Sequence, residues 1–169
     1  MSATDFVAAI VPTTGEAGGN DAIWFLGTLS TVKASKESTD GHMAVIEMLA
    51  PPGFGSPLHV HRREDEWFYV IEGGLTVWVD GEASEVPAGS FAYGPRDLPH
   101  TFLVSSPTPA RFLLGTEPSG FEDFVRELGE PAEALTLAPA SVELPSPERM
   151  TTVAAKYGME ILGPPGIPV

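Results

Sequence analysis

Two histidines, a glutamate and two glycines stand at fixed intervals in the pattern Gly53-x5-His59-x-His61-x4-Glu66-x6-Gly73, and a third histidine, His100, follows a proline-rich stretch. In an extended strand, residues two apart face the same way. His59 and His61 therefore aim both imidazoles at one point, while Leu58 and Val60 face the opposite side. The polar run 62–65 reads as the turn into a second strand, 66–72, whose first residue brings the Glu66 carboxylate beside those imidazoles. After Gly73 and Gly74 a third strand runs over 75–80, and Asp80-Gly81 makes a turn. Prolines at 87, 95 and 99 then carry the chain to His100, which opens a strand over 101–104. The pattern matches a metal site built on β-structure.

The remaining strands are short and separated by turn residues. Residues 22–25, 29–34, 43–50, 90–93 and 110–116 each combine β-branched or aromatic side chains with flanking turn signals, the mark of a β-sandwich or barrel. Helices are expected only afterwards. Ser119 and Glu122 have capping-box spacing ahead of an amphipathic stretch whose apolar face is Phe121, Phe124, Val125 and Leu128, with Gly129 as its stop. A second helix is predicted from Ser146-Pro147 to Tyr157, ended by Gly158. The closing run 162–168 holds three prolines and two glycines and is expected to lie on the surface without regular structure. Residues 1–20 are predicted to be a flexible N-terminal arm, 21–117 the β-barrel, and 118–169 a C-terminal helical extension with a Pro/Gly-rich tail. His42, in a Thr-Asp-Gly-His turn, is expected to be solvated.

Composition bears on partners. A net charge of −14 with no basic cluster repels phosphates and anionic lipid surfaces, so neither nucleic acid nor membrane is an expected partner. The amino terminus carries Asp5 where a leader needs positive charge, and no apolar run reaches membrane-spanning length. With no cysteine, disulfides and thiolate ligands are absent, and cytoplasmic residence is the simplest expectation.

The glycine, histidine and glutamate spacing resembles the first motif of the cupin superfamily at every fixed position. The second cupin motif is met at Gly81, Pro87 and Gly89. His100, however, follows Gly89 after ten residues instead of two, and Val104 stands where the motif has asparagine. The stretch 120–135, with 147–150 and 157–161, looks like the region after the barrel in single-domain quercetin 2,3-dioxygenase-like cupins. This resemblance implies an all-β fold, a jelly-roll (double-stranded β-helix) barrel with short C-terminal helices, in a homodimer. It also implies a metal held by His59, His61, Glu66 and His100, with Glu66 as general base.

Three imidazoles and a carboxylate suit one divalent transition metal ion, Fe, Mn, Ni, Co or Zn, and leave room for substrate. The resemblance implies a dioxygenase acting on a flavonol, enol or related aromatic small molecule. A non-oxidative isomerase, lyase or cyclase and a non-catalytic small-molecule-binding cupin are the alternatives. Strand alternation places Phe68 and Val70 on the face of Glu66, and Phe102 and Val104 on that of His100, as a candidate substrate pocket or as plain core. Trp24, Phe91 and Tyr93 are candidates for its rim.

Overall fold

The structure is a computed structural model and describes residues 22–168. The arm expected over 1–20 lies outside the described residues. The chain enters through β1 (Ala22–Phe25) and β2 (Thr28–Ala34), makes a single helical turn α1 (Lys36–Thr39), and continues as β3 (Ala44–Ala50) and β4 (Pro57–His61). Next come β5 (Asp65–Glu72), β6 (Gly74–Val79), β7 (Glu82–Pro87), β8 (Phe91–Gly94), β9 (His100–Val104) and β10 (Ala110–Glu117). Helix α2 (Phe121–Leu128), the two-residue β11 (Glu130–Pro131), helix α3 (Pro147–Lys156) and β12 (Met159–Pro165) complete it.

Two antiparallel sheets face each other, one ordered β11-β1-β2-β3-β10-β5-β8 and the other β12-β4-β9-β6-β7. This is a jelly roll. Alternation drives it: along β3 the buried residues are Ala44, Ile46, Met48 and Ala50, with partly exposed residues between them. Phe68, Phe102 and Phe112 meet in the middle with ring centroids 5.3 to 6.3 Å apart, joining β5, β9 and β10. The hairpin from β6 to β7 closes on Asp80 (φ 46°) and Gly81 (φ 101°), two successive left-handed residues whose twist matches the strands.

Several expectations are corrected. The tail at 162–168 is in large part the strand β12, paired antiparallel with β4 from Met159 opposite His61 to Pro165 opposite Pro57. Its prolines are tolerated because β12 is an edge strand and because Gly163 and Pro165 fall at register shifts, where no regular ladder bond is required. Ser119 does not cap α2. Gly120 occupies that position, and the buried Glu122 carboxylate accepts from the backbone N–H groups of Gly120 and Lys36, tying α2 to α1. Strands β7 and β11 and the turn α1 have no counterpart in the sequence reading. In contrast, Ser146 caps α3 by accepting from the Arg149 N–H, and His42 is exposed.

Candidate metal centre

Strand β4 supplies His59 and His61 and β9 supplies His100, which lies directly opposite His59 in the pairing of the two strands. Cross-strand neighbours bring side chains on one face into contact, and the His59 and His100 rings have centroids 4.5 Å apart. Glu66 comes from β5 in the other sheet, because the turn over 62–64 carries the chain across from β4. The turn is fastened to the loop before β9: the Asp97 N–H donates to the His61 carbonyl at 2.8 Å, and Arg96 forks onto Asp65. That Arg96 guanidinium holds the Asp65 carboxyl well below the usual carboxylate range.

All four groups are buried, and one nitrogen from each imidazole with one carboxylate oxygen lie within 4.8 Å of one another. The three Nδ1 atoms are all engaged outward: His59 with the Pro57 carbonyl at 2.7 Å, His100 with the Leu98 carbonyl at 2.9 Å, and His61 with Glu64 Oε1 at 3.0 Å. An acceptor on each Nδ1 keeps the proton there and leaves the Nε2 lone pairs turned inward. His59 Nε2 and His61 Nε2 are 3.1 Å apart, and His100 Nε2 is 3.2 Å from Glu66 Oε2. The last two atoms are not aligned for a hydrogen bond, so among the described residues both are buried without a partner. Converging lone pairs and an orphaned buried carboxylate oxygen are what a bound divalent cation satisfies, and the donor set fits one.

The electrostatics agree. Burial, reinforced by His100 and His61, pushes the His59 pKa down to about 3. Burial would raise the Glu66 pKa, but the adjacent His100 and the other imidazoles outweigh it and bring it down to about 2. For His100, burial pulls down and Glu66 pulls up more strongly, so its pKa is raised.

Beside these donors is a cavity with about 50 Å³ of free space, which His59 and Glu66 help to line. Met48, Phe102 and Leu114 give its barrel wall, and Phe121, Phe124 and Met150 of α2 and α3 line it from the other side. Of the four expected pocket residues only Phe102 lines it; Phe68, Val70 and Val104 are buried in the main core cluster. The expected rim is elsewhere as well: Phe91 and Tyr93 are exposed, and Trp24 belongs to a separate small cluster, its indole donating to the Thr136 carbonyl. The sequence reading missed Glu64, taken only as part of the polar turn 62–65. It is only 3% exposed and holds His61. Its position three residues after His61 was the only signal available.

Residues 46–115 match the Cupin domain family. The chain is 30% identical over 130 residues to quercetin 2,3-dioxygenase of Bacillus subtilis, covering 77% of this chain and 38% of that protein. The chain is a cupin. This cupin is also 29% identical over 75 residues to an uncharacterised protein of Methanocaldococcus jannaschii, covering 44% of this chain and 60% of that one. It therefore spans less than two thirds of the length of both curated relatives. Among solved structures, an RmlC-like cupin from Shewanella frigidimarina shares the fold with a TM-score of 0.50 at 24% identity, over 59% of this cupin and 83% of that chain.

Proposed function

We propose that this cupin is a metal-dependent dioxygenase that oxidises a flavonol, an enol or a related aromatic small molecule with dioxygen. The observation that carries this reading is the convergence of His59, His61, Glu66 and His100 beside an apolar cavity. The similarity to quercetin 2,3-dioxygenase supports it. Bound to those four residues, a divalent first-row ion supplies Lewis acidity toward a substrate oxygen and a redox route to dioxygen.

The protein's own groups have separate tasks. Phe102, Leu114 and Met150 hold the carbon skeleton, and Phe121 with them excludes water, which strengthens every polar interaction at the donor end. Glu66 lines the cavity, and one of its two carboxylate oxygens suffices for the ion, so the other is placed to accept the substrate hydroxyl proton. A free volume of about 50 Å³ holds only one or two waters. Pockets for larger ligands measure about 300–1,000 Å³, so in this reading a flavonol needs more room than the cavity offers beside α2 and α3. Homodimerisation and cytoplasmic residence belong to this same reading.

The test is oxygen uptake with quercetin after loading Fe(II), Mn(II), Ni(II), Co(II) or Zn(II) in turn. Uptake that depends on a redox-capable ion and follows quercetin consumption is the expected result. A stoichiometric ion with no uptake moves the reading to a non-oxidative cupin.

A further inference from the structure

The three histidines are not held alike. His59 and His100 give their Nδ1 protons to backbone carbonyls, which carry no net charge. His61 alone gives its proton to a side-chain carboxylate, Glu64 Oε1 at 3.0 Å, and both residues are buried. A hydrogen bond to a charged acceptor is roughly twice as strong as a neutral one. It draws the Nδ1 proton away from the ring and makes Nε2 the better donor to a cation. His61 Nε2 in turn faces Glu66 Oε1 at 3.8 Å.

Charge balance adds a second, independent reason. Glu64 and Glu66 are 3% and 2% exposed, and among the described residues neither carboxylate pairs with a lysine or an arginine. Their charged-group partners are the imidazoles of His61 and His100. Two buried carboxylates without a permanent cation are costly. A divalent ion among the Nε2 atoms offsets both.

We propose that Glu64 is the positioning residue of the metal centre. It orients His61 with Nε2 inward and supplies the second negative charge that matches the site to a divalent cation. The proposal rests on the metal-centre reading of His59, His61, Glu66 and His100.

The test uses Co(II) alone as the probe. Metal-free wild type, Glu64→Gln and Glu64→Ala are titrated calorimetrically, with the visible absorption of bound Co(II) as a second readout, and the metal-free proteins are melted thermally. Glutamine keeps an acceptor for the His61 N–H and removes only the charge. Glu64→Gln is expected to lose Co(II) affinity by about 10- to 100-fold, the range typical of outer-partner substitutions, with an altered Co(II) spectrum. Its metal-free melt should be unchanged or higher, since a buried charge has gone. Glu64→Ala should lose at least as much affinity. Wild-type affinity in Glu64→Gln overturns the proposal, as does a loss in either variant that only tracks a lower metal-free melting temperature. If wild type itself takes up no Co(II), the metal-centre reading fails and takes the proposal with it.

Discussion

Thr116 on β10 lies directly opposite Glu66 on β5, and each carries a buried side-chain oxygen with no hydrogen-bond partner among the described residues, Thr116 Oγ1 and Glu66 Oε2. A hydroxyl that makes no bond contributes none to the fold, so replacing it by a methyl leaves no donor or acceptor stranded. Thr116→Val is therefore expected to change stability by less than about 1 kcal/mol, read from chemical denaturation. A larger loss would mean that the hydroxyl is bonded.

Gly115 is next to this pair and has a packing role. A Cβ at this position would lie 2.1 Å from Cε2 and Cζ2 of Trp67, whose indole stacks on Phe91 across β5 and β8. Gly115→Ala must push the indole aside and should cost about 1–3 kcal/mol. Denaturation midpoints measure it, and a neutral result would show that Trp67 swings away freely.

The acid side of stability follows from the site. His59 in the fold has its pKa pushed by burial, with His100 and His61, from 6.5 to about 3, so in that window the unfolded chain binds the extra proton and stability falls as pH falls. Glu66, lowered from 4.5 to about 2, adds a loss in the same direction below about pH 4.5. His100 has the opposite sign: its raised pKa contributes stability present below 6.5 and lost as pH rises through the folded value. Thermal melts of the metal-free protein should fall between pH 6.5 and 4, and His59→Asn should flatten that fall. An unchanged slope in the variant would remove His59 as its source.

Much of the metal centre was legible because strand geometry is periodic. His59 and His61 share a face by their spacing alone, Glu66 heads the next strand, and His100 was named from the resemblance to the cupin motifs. The barrel strands were legible for the same reason. What sequence could not supply was depth. Phe68, Val70 and Val104 have the right facing but sit in the core, because facing fixes a side and not the distance to the cavity. Glu64 looked like one more charge in 62–65, and only the crossing between sheets buries it. β12 escaped because Pro164 and Pro165 argue against a strand unless it is known to lie at an edge.

Phe121 should govern what enters. Its ring lies 5.7 Å from that of His61 and 5.5 Å from that of Phe124, and it lines the cavity from α2. Phe121→Ala is expected to cost about 3–5 kcal/mol of stability, as for other buried Phe→Ala changes. It should also lower KM for a flavonol more than for a small enol. Equal effects on both substrates would place Phe121 outside the specificity wall.

Glu66→Gln addresses the base. Gln keeps an oxygen toward the imidazoles and loses the negative charge, so turnover should drop about 100-fold or more, in the range assigned to general base catalysis, in samples matched for metal content. Turnover that persists in metal-replete Glu66→Gln would remove the base role.

The most direct measurement is metal content per chain after loading and desalting, in wild type and in His61→Ala. Close to one divalent ion per wild-type chain is expected and almost none in the variant, because His61 is a fully buried member of the donor set. Wild type without a stoichiometric ion, or a folded variant that retains it, would contradict the metal centre.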